Sequence, residues 1–441
     1  MKKFKKETIA AKAGIGSDMN HGSIVPPLYL SSNFEYKELG KEQEYEYTRE
    51  TNPSRDHLIN ALTDLEDGVG GEILSSGMAA ITLVANILNI NSKVILPHDC
   101  YGGTHRLFSS LAEKGILEAY FIDQGQESFC KKAISEINPD LIWIETPSNP
   151  LLQAVDIQEI SKEAKACNAL VAVDNTFLSP SLQNPLKLGA DIVMHSTTKY
   201  INGHSDVIGG ALITNNHEIL LKLKFWANAL GITGSPFDSY LTLRGLRTLS
   251  IRMEKHEKNA TAIVELLSKH PKIDKIYYPG LTNHPSHAIA KKQQSGFGGM
   301  LSFEISGDLA RVKSFIEGMK ILPLAGSLGG FESLVSHPYT MTHGNLTPNQ
   351  KKEVGISEGL IRISAGLENT EDVGGGKNLG YTDPGDYADY MVYTNSSQSY
   401  VVDFRVAAQN GTGEIGLYLL DSTGTREFEL CTVETPKTDG W

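Results

Sequence analysis

The chain has 441 residues, 40% hydrophobic and 21% charged, with a formal net charge of −12. That length implies two or more cores in a globular protein, and the acidic balance, with no basic stripe against it, excludes nucleic-acid and anionic-membrane partners. Lys2, Lys3, Lys5 and Lys6 open the chain without an apolar stretch behind them, and no run approaches the roughly 20 residues of a membrane helix, so a cytoplasmic protein is expected.

In chain order, short apolar runs occupy 72–75, 93–97, 119–123, 141–145, 170–174, 192–195 and 209–214. Most are rich in Val, Ile and Leu without polar alternation, as strands covered on both faces of a sheet must be. Between them lie segments such as 77–88 and 157–166, with apolar residues three and four apart. Strand and helix alternating in this way predict right-handed crossovers and an α/β fold with a mostly parallel, doubly wound sheet of seven strands. A long helical stretch is expected from 239 to 270, then a smaller α+β domain with strands at 300–305 and 360–364 and a helix at 309–319. From Gly374-Gly375-Gly376 the composition shifts to Tyr, Asp, Gly, Ser and Thr, and 400–406 and 414–420 alternate like antiparallel strands. Cys100, Cys130, Cys167 and Cys431 form no CxxC pair and stand near no histidine cluster, so they read as free thiols and no metal site is expected. His284 and His287, beside prolines, read as surface histidines.

Three strand ends carry chemistry, because an open α/β sheet presents polar groups at its carboxyl edge. Ser75-Ser76-Gly77-Met78 closes one strand and opens a helix, where amides and the helix dipole suit a phosphate; a plain helix cap is the common alternative. Asp174 ends the run 170–174, and a carboxylate there needs a cation such as a protonated ring nitrogen, unless it caps a helix. The run 192–195 leads into Ser196-Thr197-Thr198-Lys199, hydroxyls followed by an amine. A lysine is usually a solvated charge. A phosphate cradle, a carboxylate and an amine together are the three features that pyridoxal 5'-phosphate (PLP) requires.

Pro97-His98-Asp99-Cys100-Tyr101-Gly102-Gly103, Glu145-Thr146-Pro147-Ser148-Asn149-Pro150, Val173-Asp174-Asn175-Thr176-Phe177, Ser196–Asp206 and Ser327-Leu328-Gly329-Gly330-Phe331-Glu332-Ser333 resemble the Cys/Met-metabolism family of PLP enzymes. The resemblance runs over about residues 7–372, stops short of the family's final helix, and through Phe225–Asn228 and Phe237–Leu249 leans to the bacterial γ-replacing synthases. It implies an aminotransferase-like fold (fold type I), with an N-terminal arm at 1–60 serving a neighbouring active site, a PLP-binding domain at 61–250 and a C-terminal domain at 251–372. It also implies a homotetramer, a dimer of dimers. Lys199 would carry the cofactor and act as base with help from Tyr101, which stacks on the ring, while Asp174 pairs with the ring nitrogen. Gly77, Met78, Ser196 and Thr198 would hold the phosphate, with Tyr47 and Arg49 reaching a neighbour's. Arg362, Asn149, Ser327 and Glu332 would bind substrate.

The implied reaction is γ-replacement: cysteine displaces the acyl group of an O-acylhomoserine, succinyl or acetyl, to give cystathionine in methionine biosynthesis. The alternative is γ-elimination by a γ-lyase, which shares nearly all these motifs. Methionine γ-lyases carry a cysteine where Gly103 stands. Glu46, Glu50 and Arg106 are candidate determinants of the leaving group. Residues 373–441 resemble part of a family-6-type carbohydrate-binding β-sandwich, with Tyr387, Tyr390 and Trp441 as possible sugar platforms. The whole could therefore be a carbohydrate-binding protein on an inactive PLP scaffold, a reading that an intact Lys199, Asp174 and Arg362 opposes.

Overall fold

The computed structural model describes residues 4–307, 309–319, 321–344, 346–369, 414–420 and 426–434. It divides into two compact units, Met1–Asp383 and Pro384–Trp441.

The first unit starts with α1 (Lys6–Lys12) and α2 (Pro53–Glu66). At the start of α2 the Ser54 amide donates to the Asn52 side chain at 2.9 Å and proline occupies the first turn, two features that nucleate a helix. There follow β1 (Gly70–Leu74), α3 (Gly77–Asn86), β2 (Ser92–Pro97), α4 (Gly102–Glu113), β3 (Leu117–Ile122) and α5 (Glu127–Ile137). The alternation continues through β4 (Leu141–Glu145), α6 (Ile157–Ala166), β5 (Leu170–Asp174), α7 (Ser179–Leu182), β6 (Ile192–His195) and β7 (Gly210–Thr214).

These seven strands form one sheet in the order β1-β7-β6-β5-β4-β2-β3. All neighbours pair in parallel except at β7, which runs antiparallel to both β1 and β6. A parallel return needs a crossover of a dozen residues or more, usually a helix. The segment between β6 and β7 holds turns and no helix, so the chain comes back antiparallel and leaves a loop containing Lys199 at the strand ends. The pleat separates two cores: Val193, Ala211 and Ile213 pack with Leu58, Leu62 and Met253 on one face, while Ile192, Met194 and Leu212 pack with Ile81, Leu83 and Phe108 on the other.

Next come α8 (His217–Leu230), α9 (Pro236–Leu246) and α10 (Leu249–Leu267). The single helix expected over 239–270 is thus two, broken at Arg247-Thr248. The cause is tertiary. A Cβ on Gly245 would stand 2.0 Å from the Asn202 carbonyl oxygen, so α9 ends hard against the loop after Lys199, and Arg252 binds the Gly245 carbonyl at 2.8 Å.

The remainder contains β8 (Ile273–Tyr277), α11 (His287–Gln293), β9 (Met300–Ile305), α12 (Leu309–Glu317), β10 (Leu334–Ser336), α13 (Pro348–Glu353) and β11 (Leu360–Ser364). Its strands form an antiparallel sheet in the order β10-β11-β9-β8. The sequence pattern places β9, β11 and α12, but β8 and the three-residue β10 are too short and mixed to stand out. His284, expected at the surface, is only 7% exposed. Its Nδ1 accepts the Ser286 amide at 3.2 Å and its Nε2 lies 3.4 Å from the Leu151 carbonyl.

In the second unit, β12 (Glu414–Leu420) pairs antiparallel with β13 (Arg426–Glu434), with register shifts after Leu417 and Leu419. The strand expected at 414–420 is therefore present. Gly374–Gly376, the strand expected at 400–406, and Tyr387, Tyr390 and Trp441 lie outside the described residues. No helix among the described residues is long and apolar enough to cross a membrane, and they hold no cluster of potential metal ligands.

Candidate active site

Because β1, β4, β5 and β6 run the same way, their carboxyl ends share one edge of the sheet. At β1 the chain turns into α3, and the Ser76 hydroxyl caps it by accepting from the Ala79 amide at 3.0 Å. The amides of Gly77 and Met78 have no acceptor within the helix and remain open to an anion. A Cβ on Gly77 would meet Ser196 Cβ at 2.9 Å, so only glycine lets this helix start approach the loop after β6. Thr198 accepts the Gly209 amide at 3.0 Å and donates to the Gly209 carbonyl at 3.3 Å, which ties that loop to β7.

Asp174 and Glu145 are paired across β5 and β4. Burial raises the pKa of both carboxyls, Glu145 the more strongly, with the neighbouring Asp174 adding to the rise at Glu145. Thr176 relieves Asp174: its amide donates to Asp174 Oδ1 at 3.0 Å. The Thr176 hydroxyl in turn accepts the Ser196 amide at 2.9 Å, joining the carboxylate to the Ser196 loop.

Lys199 Nζ donates to Ser327 Oγ at 2.7 Å. Burial lowers its pKa to about 8, helped by the Arg362 guanidinium and opposed by Asp174. Arg362, in the middle of β11, is 3% exposed. Its Nη1 donates to Asn149 Oδ1 at 2.8 Å and its Nη2 to the Ser327 carbonyl at 2.9 Å, while Nε has no partner among the described residues. A buried guanidinium that faces an amide, a carbonyl and a free donor direction is set up for a carboxylate. Ser327 itself has φ 72°, and a Cβ on Gly329 would stand 2.8 Å from the Tyr200 amide nitrogen, so this loop lies directly on the lysine's backbone.

Tyr101 is 47% exposed, and its amide donates to Glu145 Oε2 at 2.7 Å. A Cβ on Gly103 would meet Met78 Sδ at 2.5 Å and the Tyr101 ring at 2.6 Å, so a cysteine there would displace both side chains. Glu332 accepts a hydrogen bond from the Ser205 hydroxyl and keeps Oε2 without a partner among the described residues. The structure thus gathers Lys199, Asp174, Ser196, Gly77, Arg362, Asn149 and Ser327 around one crevice. Tyr47 and Arg49 are both exposed, and within this chain they face each other, with Arg49 5.1 Å over the Tyr47 ring and 2.9 Å from Asn228 Oδ1.

Two structural contributors escaped the sequence reading. Arg252 donates to the Tyr200 carbonyl at 2.7 Å and the Ile201 carbonyl at 3.2 Å, clamping the turn that carries Lys199. Glu145 supports Tyr101 and stands beside Asp174. Their signal was faint, since an arginine in a helix and a glutamate ending a strand are ordinary in sequence.

An amine lowered toward neutrality, a buried carboxylate short of a cation and a glycine-opened helix start fit PLP. They define the class: an α/β enzyme with a cofactor lysine at the carboxyl edge of its sheet. The profile of the Cys/Met metabolism PLP-dependent enzyme family matches residues 7–375, and that of the family 6 carbohydrate binding module matches residues 364–441. The chain is 48% identical over 370 residues to the cystathionine gamma-synthase of Escherichia coli (strain K12), covering 84% of this chain and 96% of that one. It is 44% identical over 371 residues to the cystathionine gamma-lyase of Dictyostelium discoideum, with coverage of 84% and 96%. The crystal structure of cystathionine gamma synthase from Xanthomonas oryzae pv. oryzae, in complex with aminoacrylate and cysteine, superposes with a TM-score of 0.82 at 50% identity, covering 84% of this chain and 95% of that one. The chain belongs to the Cys/Met metabolism PLP-dependent enzyme family, and its cofactor is PLP.

Proposed function

We propose that the protein is a cystathionine γ-synthase, exchanging the acyl group of an O-acylhomoserine for the thiol of cysteine. The observation that carries this reading is 48–50% identity to γ-synthases over nearly their whole length. The crevice supports it: Arg362, with Asn149 beside it, takes the substrate α-carboxylate in a planar fork. Gly77 and Met78 amides with the Ser196 and Thr198 hydroxyls would hold the cofactor phosphate, Asp174 would pair with the ring nitrogen and Tyr101 would stack on the ring. PLP, when bound, supplies the sink for electrons released at the substrate carbon. Lys199 moves protons at Cα and then Cβ, a task suited to an amine whose pKa is lowered to about 8. Ser327 receives the lysine when it is free, and the open oxygen of Glu332 suits an incoming ammonium group.

Tyr47 and Arg49, outward-facing in one chain, complete the phosphate site of a neighbour in a dimer, two of which make the tetramer. A cavity of about 150 Å³ lined by His98, His105, Arg106 and His343 is our candidate for receiving the leaving group. Assaying cystathionine formation from cysteine and O-acylhomoserine beside 2-oxobutyrate release from cystathionine tests the reading. Synthesis is expected to be the faster; faster release of 2-oxobutyrate would assign a γ-lyase instead.

A further inference from the structure

The turn that carries Tyr47 and Arg49 is not held by packing. None of residues 46–51 is buried, and neither is any of residues 31–35, against which they pair. The Thr48 amide donates to the Ser32 carbonyl at 2.9 Å and the Phe34 amide to the Glu46 carbonyl at 3.0 Å. Two exposed segments paired with each other do not by themselves fix the place of an arginine. Their ties to buried structure come from the head of α2. Asn52, fully buried, caps that helix through Oδ1, and its Nδ2 donates to Thr48 Oγ1 at 3.0 Å and to the Tyr29 carbonyl at 3.1 Å. Arg55, 2% exposed, donates through Nη2 to the Glu50 carbonyl at 2.9 Å and through Nη1 to the Gly234 carbonyl at 3.2 Å.

The second of those carbonyls belongs to the chain's own cofactor edge. Residues 232–234 run along the end of β1, with the Gly234 amide donating to the Ile73 carbonyl and the Ser75 amide to the Ile232 carbonyl, both at 2.9 Å. One guanidinium thus bridges the turn 47–51 and the strand end that leads to Gly77. We propose that Arg55 and Asn52 are positioning residues: they set Tyr47 and Arg49 at a fixed place relative to α2 and β1, from which both side chains reach a neighbouring subunit's cofactor. This rests on the reading of Tyr47 and Arg49 as ligands of a neighbour's phosphate.

Arginine suits the bridge. Both acceptors are neutral carbonyls and a guanidinium keeps its charge at any ordinary pH, so the two bonds depend on no titration. Burial works against the cation, and Glu72 on β1 with Asp56 on α2 offset that cost. Arg49 is the opposite case. It is exposed, and within this chain it bonds Asn228 Oδ1, a contact it can exchange for a phosphate once its backbone is in place.

The test measures PLP affinity by reconstitution of full-length Arg55→Met and Asn52→Ser beside Arg49→Ala. Either of the first two decides it if its apo-protein still melts cooperatively. Both should bind PLP more weakly, Arg55→Met by at least about tenfold. The second readout locates the defect, at a PLP concentration too low to load the variant alone. Co-expressed with Lys199→Ala subunits, the variant should regain turnover and the visible cofactor band to about a quarter of the wild-type level, since about half of randomly paired dimers are hybrids with one complete site in two. A defect within a subunit's own fold or its own site is not repaired in this way. Unchanged PLP affinity would overturn the proposal, as would a defect that Lys199→Ala subunits fail to repair while they do repair Arg49→Ala. Failure to repair Arg49→Ala as well would instead defeat the reading of Tyr47 and Arg49 on which the proposal rests.

Discussion

Asp174 and His195 stand at the carboxyl ends of parallel strands, whereas Arg362 stands in the middle of β11 in the antiparallel sheet. The first arrangement is generic: any open α/β sheet offers its strand ends to a ligand, so chemistry placed there is visible wherever an apolar run stops at a polar residue. The second is particular. Arg362 reaches the crevice because β11 is turned so that an inward position faces Asn149 and the Ser327 loop. The larger sheet is thus suited to holding the cofactor and the smaller one to holding the substrate, and the two functions should separate on mutation.

Lys199→Ala should give the largest effect, abolishing the visible cofactor band and lowering turnover by at least about a thousandfold. Absorbance and steady-state rates check it, with free PLP removed first, because the phosphate contacts can still retain cofactor. Retention of the band would break the comparison at its base.

Arg362→Ala should leave the band intact and lower kcat/KM by about 2–4 kcal/mol, roughly 30- to 1000-fold. Arg362→Lys should recover little, since an ammonium cannot reproduce the fork. The two sheets nevertheless communicate through charge. In the apo-protein, PLP attachment needs the neutral Lys199 amine, so its rate should rise with pH through about 8. Arg362→Met removes a cation that lowers the lysine's pKa, so the rise should move to higher pH. A profile unchanged by that substitution would disconnect the two charges.

Gly203→Ala probes how the lysine turn is held. Gly203 has φ 70°, and a Cβ would stand 2.0 Å from Arg252 Nη1. A loss of about 2–3 kcal/mol is expected, read as a lower urea midpoint at unchanged slope. A neutral result would mean that Arg252 can release the Tyr200 and Ile201 carbonyls without cost.

The smallest effect is expected from ending the chain at Asp383, the limit of the first compact unit. Turnover per active site should not change. A loss would show that the segment beginning at Pro384 completes the enzyme, and binding of xylan or β-glucan by the full chain would give it a role of its own.

The apolar runs and their polar stops determined, without any coordinates, the seven strands of the large sheet and the places of Gly77, Asp174 and Lys199. They could do so because strands buried on both faces must be apolar throughout, and because a ligand edge lies where each run ends. The roles given to Arg362, Asn149 and Ser327 came only through resemblance to a family. What the tertiary structure alone decided is the support around these groups. The break between α9 and α10, the Arg252 clamp and the Glu145–Asp174 neighbourhood join residues 29 to 52 positions apart that no sequence period connects. Each is a polar contact whose strength comes from exclusion of water, and exclusion of water exists only once the two faces of the sheet have been covered.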